Sequence, residues 1–440
     1  MFRPTGFADL AGRRVGVFGY GIEGHATESR LRLLGADCVL VDDDPAVGVL
    51  VTDRGGLDAL ATCDVVIKSP GIARRRPDVL ALETCVPVTS ALNLWLLDTD
   101  RSRVIGITGT KGKSTTTALV DFFLHCLGER SQRLGNIGVP PYDPSVDTSH
   151  GWSVVEISSY QCVDVTVAPA VVVVTSLGAD HLDWHGGLAQ YQHDKLSLTR
   201  AAGEHVTIIP DTVELTSRLG ELGGELTVAP KDGSGLASLL HLIGAHNEQN
   251  VGTAVAAVVA ATGRARLDVL EAVHARAEAF EPLAGRLTLI GAERDGARTW
   301  RYVDDGLATA PLPTVAALDA FADDPVALIV GGYDRGVDYA PLGLALRDRR
   351  RTTTLITTGA VGARIGAAVA ALTPVVRQYA ANDLDDAIGY ARSFLVDGGV
   401  ILLSPAAPSF DHYRNWEARS ADFARAVRAR TGSLGRDSNP

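Results

Sequence analysis

The segment Ile107-Thr-Gly-Thr-Lys-Gly-Lys-Ser-Thr-Thr116 carries the residue types that hold a polyphosphate. Its glycines let backbone N–H groups turn toward phosphate oxygens, and a helix starting at its end adds positive partial charge. Lys113 has the length to reach β- and γ-phosphates, and the Ser114 hydroxyl can hold Mg²⁺. The strict pattern places glycine at position 107, where this chain has Ile, and Gly106 stands one residue early. The spacing predicts a variant phosphate loop.

Further polar residues fall where such a loop needs partners. Glu156 closes the apolar run Ser153-Val-Val-Glu-Ile157, and a carboxylate at a strand end beside a phosphate loop is a hard oxygen ligand for Mg²⁺. Asp180-His181-Leu-Asp183 follows a second apolar run, and its His could complete a metal site, orient a phosphate or be structural. Lys195 lies on a predicted helix, where a single lysine would ordinarily be a solvated charge. Gly244-Ala-His246-Asn247-Glu-Gln-Asn250 reads as a polar helix start, able to hold a base or simply to cap.

Strand-then-helix units must position these groups. Arg14-Val-Gly-Val-Phe18 precedes Gly19-Tyr-Gly-Ile-Glu-Gly24 and a helix through Leu34, with a further strand, Cys38-Val-Leu-Val41, ending at Asp42. Gly19, Gly21 and Gly24 with an acid about twenty residues on match a nucleotide-binding βαβ unit, suited to NAD or to a sugar diphosphate. Val65-Val-Ile-Lys68 runs into Ser69-Pro70-Gly71-Ile72. The middle section adds strands at 153–157 and 170–175 and a helix over 250–262, while 211–235 reads as irregular or edge structure. From Gly285 the pattern restarts, with apolar runs ending at Gly331-Gly332, Gly359 and Ser404-Pro405-Ala406. Alternation of this kind implies α/β domains with mainly parallel sheets.

Composition narrows the partners. The 440 residues carry a formal charge of −11, with no basic block, which argues against nucleic acid. An anionic substrate must then be met by glycine loops, helix N-termini and Mg²⁺. The five cysteines lack metal-site spacing and read as reduced thiols, and no apolar run reaches membrane-spanning length. The expectation is a cytoplasmic enzyme without nucleic-acid or membrane partners, acting as a monomer.

The ordered set Thr108–Thr116, Gly135-Asn136-Ile137-Gly138, Glu156-Ile-Ser-Ser-Tyr-Gln161, Asp180-His181, Lys195, Gly244-Ala-His246-Asn247 and Ser404-Pro405-Ala406 through Glu417 resembles the Mur ligases. These are ATP-dependent amide-forming enzymes of peptidoglycan precursor assembly. The resemblance covers essentially the whole chain and is strongest to the glutamate-adding (MurD-type) branch. It implies three domains: a Rossmann-like UDP-sugar domain over 1–100, a central P-loop ATPase domain over 101–284, and a Rossmann-like amino-acid domain over 285–440.

It also implies roles. Gly109, Thr110, Lys111, Gly112, Lys113, Ser114 and Thr115 would bind ATP, helped by Asn250, Arg286 and Asp305. Ser114 and Glu156 would hold one Mg²⁺, and His181 with Lys195, as a carbamate, the second. CO₂ addition turns a cationic amine into an anionic oxygen ligand. Gly19, Gly21, Asp42, Ser69, Asn136, Ser158 and Gln161 would lie near UDP-N-acetylmuramoyl-L-alanine. Thr309, Arg335, Ser409 and Trp416 would meet glutamate.

Departures from the family pattern gather at one end. Ser176 stands for an asparagine, Gly285 for a histidine, Leu307 for a lysine, Arg335 for a lysine and Trp416 for a phenylalanine. The nucleotide machinery is nearly intact while the amino-acid pocket is altered. That favours the sister family that adds L-glutamate over the ordinary D-glutamate ligase. A folylpolyglutamate synthase-like ligase shares the loop but has no need of the N-terminal βαβ unit. An inactive binding protein would not need Lys113, Glu156, His181 and Lys195 together, and a nicotinamide dehydrogenase fits only residues 19–24.

Overall fold

In the computed structural model, which describes residues 2–431, three sheets take up the apolar runs. The first holds β1 (Arg14–Phe18), β2 (Asp37–Asp42), β3 (Leu50–Val51), β4 (Val65–Lys68) and β5 (Val88–Thr89). They are parallel in the order β3-β2-β1-β4-β5. The chain reverses its direction of travel between β1 and β4, so the loops after these strands flank a crevice.

The second sheet holds β6 (Val104–Thr108), β7 (Ser131–Gly135), β8 (Trp152–Glu156), β9 (Val171–Val174), β10 (Val206–Pro210) and β11 (Glu225–Ala229). It is parallel, in the order β11-β10-β9-β6-β8-β7. A parallel sheet is covered on both faces, and β6, β8 and β9 are accordingly buried along their whole length. The weakly patterned 211–235 stretch includes β11, an edge strand with little burial to impose alternation.

The third sheet holds β12 (Thr288–Asp295), β13 (Arg298–Asp304), β14 (Val326–Gly331), β15 (Thr353–Thr358), β16 (Arg377–Ala380) and β17 (Gly399–Leu403). Its order is β12-β13-β17-β14-β15-β16, parallel except for the β12–β13 hairpin. That hairpin is not evident in the sequence, because β12 is mostly part-exposed and bulged between Leu289 and Gly291.

Residues 2–236 and 248–280 form one compact unit, and 237–247 with the chain from Glu281 form the other. The first unit joins two sheets through one core. Val15, Val65 and Trp95 pack in the same cluster as Val104, Val155 and Val172. The helix Ala91–Asp98, capped by Ser90 and apolar nearly all round, lies in that core, as a helix without a polar face must. The second unit has its own cores on either side of β14 and β17.

Candidate functional site

The centre of the second sheet builds the loop. Ile107 pairs with Glu156 and Thr108 with Val174, so the ends of β8 and β9 flank the turn that leaves β6. At Gly109, φ is +141° and a Cβ would lie 2.1 Å from the Thr175 hydroxyl. Gly112 caps the helix Lys113–Cys126 at φ +83°, with Asn250 Oδ1 2.6 Å from where a Cβ would stand. Only glycine fits either position. Thr110 N donates to Ser176 O at 2.9 Å, and Lys111 N to Ser176 Oγ at 2.7 Å. Thr175 Oγ1 donates to Lys111 O at 2.6 Å. The loop is thus pinned to the end of β9, and Ser176 does its part with a hydroxyl where the family pattern has an amide. Lys113 Nζ reaches the carbonyls of Gly109 (3.0 Å) and Thr110 (3.2 Å), while Ser114 and Thr115 open the helix whose dipole favours an anion.

Glu156 is buried at the end of β8 and accepts from Asn136 Nδ2 at 2.9 Å through Oε1. Its Oε2 is buried without a hydrogen-bond partner. A buried carboxylate oxygen left unpaired is unfavourable unless a cation satisfies it, and this one lies beside the phosphate loop. Among the described residues no three His, Cys, Asp or Glu side chains converge as a metal cage. Mg²⁺ asks for none: it binds through one or two protein oxygens together with phosphates and water. The donor set therefore fits Mg²⁺.

Lys195 lies on the helix Leu188–Leu196 and is 1 % exposed. Its Nζ donates to Gly109 O at 2.9 Å and sits 5.1 Å from the centre of the Tyr191 ring, whose hydroxyl pairs with Thr110 Oγ1 at 2.8 Å. Burial, reinforced by the nearby Lys113 ammonium, lowers its pKa to about 8. The sequence alone offered a solvated charge here, and the structure removes that option. His181 is exposed, at φ +48° just before the helix Leu182–His185, with its ring 5.0 Å from that of Tyr160. A left-handed backbone at a non-glycine residue is uncommon and recurs at functional positions.

The first sheet supplies a second group of residues. Gly19 takes φ +93°, and its carbonyl accepts from Ser69 Oγ at 2.6 Å, joining the loops after β1 and β4. Gly21 caps the helix Ile22–Leu33, and Asp42 accepts from the amides of Tyr20 and Asp44. Ser158 and Gln161 form a capping box. Gln161 Nε2 also donates to Glu23 Oε1 at 2.8 Å, while Tyr142 donates to Glu23 Oε2 at 2.7 Å. Burial raises the Glu23 carboxyl above its usual range. Glu23 was missed by sequence reasoning, because nothing local distinguishes it from a helix-start acid.

The other unit carries the remaining residues. Asp305 accepts from Ser404 Oγ at 2.7 Å, and burial pushes its carboxyl up to about 7. Arg286 is exposed. Buried Arg419 donates to the carbonyls of Gly306, Gly331 and Ala407 at 3.1–3.2 Å, tying together three strand-end loops that lead to Thr309, Arg335 and Ser409. The Arg335 guanidinium lies 5.9 Å from the Phe410 ring centre. Trp416 Cζ3 lies 2.5 Å from where a Cβ on Gly285 would stand.

Comparison with known proteins decides the family. Residues 107–221 match the Mur ligase middle domain. The chain is 39% identical to a protein of Salinispora tropica (97% of this chain, 99% of that one) and 40% identical to one of Micromonospora sp. (97% and 98%). A Xanthomonas euvesicatoria relative is 35% identical, over 95% of each chain. All three are named UDP-N-acetylmuramoyl-L-alanine--L-glutamate ligase. The chain belongs to the Mur ligase family. As a Mur ligase it is an ATP-dependent enzyme that forms amide bonds in peptidoglycan biosynthesis. Its fold is that of the three-domain Mur ligases. The MurF ligase of Thermotoga maritima in complex with ADP aligns at TM-score 0.54 and 14% identity, covering 96% of this chain and 99% of that one. The UDP-N-acetylmuramate-alanine ligase of the same organism aligns at 0.52 and 19% identity, covering 95% and 99%. Among the described residues, no helix of this Mur ligase is long and apolar enough to cross a membrane.

Proposed function

We infer that this Mur ligase joins glutamate, as the L-enantiomer, to UDP-N-acetylmuramoyl-L-alanine in the cytoplasm. ATP phosphorylates the terminal alanine carboxylate. The amine of glutamate then attacks the acyl phosphate, and the tetrahedral intermediate collapses with loss of phosphate. Phosphate loop, Glu156 and Lys195 at the ends of adjoining elements are the observation that carries this reading.

Lys113 and the amides of residues 109–115 hold the ATP phosphates, with Asn250 against the loop; the family resemblance gives Arg286 and Asp305 nucleotide-contacting roles. Ser114 and Glu156 would hold Mg²⁺, and His181 with Lys195, as a carbamate, would hold a second ion. Mg²⁺ supplies charge neutralisation of the phosphates, and the lowered pKa of Lys195 favours the neutral amine with which CO₂ reacts. The loops around Gly19, Gly21, Asp42 and Ser69, with Asn136, Ser158 and Gln161, receive the UDP-sugar. Thr309, Arg335, Ser409 and Trp416 orient glutamate. Positioning of the two reactants and neutralisation of phosphate charge supply most of the rate.

The test is phosphate release from ATP in the presence of the UDP-sugar and glutamate. Wild type should turn over only with both. Lys113→Ala and Glu156→Ala should each lose about 10²–10³-fold or more while melting as wild type does. Wild-type turnover in either variant refutes the ATP-site assignment.

A further inference from the structure

A relay of four side chains, three of them buried and the fourth, Arg75, exposed, crosses the first unit. Arg75 makes a two-pronged pair with Asp194, at 2.8 and 2.7 Å. His185 Nδ1 meets Asp194 Oδ2 at 2.8 Å, and His185 Nε2 meets Ser159 Oγ at 3.0 Å. Gln190 donates to Asp194 Oδ1 at 2.8 Å. A carboxylate only accepts, so His185 carries its proton on Nδ1 and accepts from the Ser159 hydroxyl through Nε2. The order Ser, His, Asp is that of a hydrolytic triad, but Ser159, His185 and Asp194 are each at most 3 % exposed. No substrate reaches this serine, so nucleophilic catalysis is ruled out.

What the relay does touch is the scaffold of the phosphoryl-transfer site. Asp194 immediately precedes Lys195 on the same helix. His185 ends the short helix that follows His181. Ser159 opens the helix three residues after Glu156. Arg75 comes from the loop after β4, which starts at Ser69 and is anchored again where Lys68 meets Asp164 at 2.7 Å and Arg74 meets it at 3.0 Å. Trp184 Nε1 donates to Gly71 O of that loop at 3.0 Å. One hydrogen-bonded chain thus connects the loop that carries Ser69 to the three segments that carry Glu156, His181 and Lys195.

We propose that Arg75, Asp194, His185 and Ser159 are positioning residues that set the mutual alignment of the Glu156, His181 and Lys195 segments from the loop carrying Ser69. The proposal rests on the ligase reading above. Two-pronged guanidinium–carboxylate geometry fixes orientation as well as distance, which a lysine or an amide does not reproduce. Small misalignment of catalytic groups lowers turnover without removing substrate contacts.

The full-length protein tests this with Arg75→Ala, Arg75→Lys, Asp194→Asn and the double variant Arg75→Ala/Asp194→Asn. The expected result is a fall in kcat of about tenfold or more for Arg75→Ala and Asp194→Asn. KM values for ATP and the UDP-sugar should stay within about twofold, with partial recovery in Arg75→Lys and a double variant no worse than the poorer single one. Amide hydrogen exchange over residues 182–196 should quicken several-fold in Arg75→Ala without substrates present, a readout independent of the reaction. Wild-type kcat in Arg75→Ala, a change confined to the KM of the UDP-sugar, additive losses, or unaltered exchange over 182–196 would each overturn it. So would a kcat loss that merely follows a fall in melting temperature in Arg75→Ala and Arg75→Lys alike. Failure of wild type to turn over with the UDP-sugar and glutamate is a different result, and refutes the ligase substrates while the exchange measurement still judges the relay.

Discussion

Lys113 and Lys195 donate to the same acceptor, the carbonyl oxygen of Gly109, at 3.0 and 2.9 Å. They arrive from two helices, Lys113–Cys126 following the phosphate loop and Leu188–Leu196 further along the chain, so the loop is read from both sides. Burial is the larger cause of the lowered Lys195 pKa, and the charge of Lys113 beside it adds to the effect. Lys195 is 1 % exposed, so almost no solvent stabilises its charge.

That arrangement predicts the behaviour of Lys195→Ala. As a carbamate Lys195 is an oxygen ligand, so its removal should lower ligation by about 10²-fold or more. Acetate or formate should restore part of the rate by standing in for the missing carboxylate. Phosphate release measured with and without added anion checks this. Full activity in the variant without added anion would make Lys195 a packing residue only.

Much of this site was legible because its chemistry is contiguous. Glycines at 109 and 112 followed by Lys113 and Ser114 cannot easily be replaced, and the strand before them is a plain apolar run. Glu156 was marked by its type and its place at a strand end, whereas Lys195 read as a solvated charge until the family resemblance gave it a role, and its burial sets it apart from a surface lysine. The Arg75–Asp194 and Glu23–Gln161 contacts were not legible. Their partners lie 119 and 138 residues apart, and nothing local marks them as paired. The β12–β13 hairpin escaped for a different reason: half-exposed strands carry little alternation.

Asp305 makes stability depend on pH. Its carboxyl is held at about 7 in the fold, well above the ordinary aspartate value of about 3.9. Below about pH 4 folded and unfolded chains both hold the proton. Between about 4 and 7 the unfolded chain releases it while the folded chain keeps it, so stability falls as pH rises and levels off above 7. The loss is on the order of 2 kcal/mol once partial exposure is allowed for. Asp305→Asn keeps an acceptor for Ser404 and removes the titration. Its melting midpoint should exceed that of wild type by roughly 2–5 °C at pH 8 and match it near pH 4.5. Parallel midpoint curves for the two proteins would refute the assignment.

Gly285 and Trp416 are one exchange rather than two separate departures. The indole occupies the space that a side chain at 285 would need, and Gly285 also sits at φ +70°. Gly285→Ala should destabilise the protein by about 1–3 kcal/mol through overpacking and backbone strain. Phenylalanine at 416 does not extend as far as the indole's outer ring, so Trp416→Phe should remove the steric part in the double variant. Melting midpoints in a four-protein cycle give the coupling. Strictly additive effects would show that the two positions are independent.

The incoming amino acid is the finest distinction the pocket must make. Arg335, Leu307 and Trp416 stand where the D-glutamate branch has lysine, lysine and phenylalanine, and the Arg335 guanidinium lies 5.9 Å from the Phe410 ring. Glutamate brings two carboxylates and one amine, and the amine must reach the acyl phosphate whichever enantiomer binds. Inverting the stereocentre while holding the amine exchanges the directions of the α-carboxylate and the side chain, so the cations that meet them must move as well. A planar, two-pronged arginine does not substitute for a lysine in that task, and loss of the second cation at Leu307 removes one of the old contacts. Paired changes of this kind at one ligand both attract the new enantiomer and reject the old one. We therefore expect kcat/KM to favour L-glutamate over D-glutamate by about tenfold or more, and Arg335→Lys to narrow the ratio. Competition between the two enantiomers for UDP-N-acetylmuramoyl-L-alanine, with the product's stereochemistry read by chiral chromatography after hydrolysis, measures both. Faster product formation with D-glutamate would overturn the preference while leaving the ligase chemistry in place.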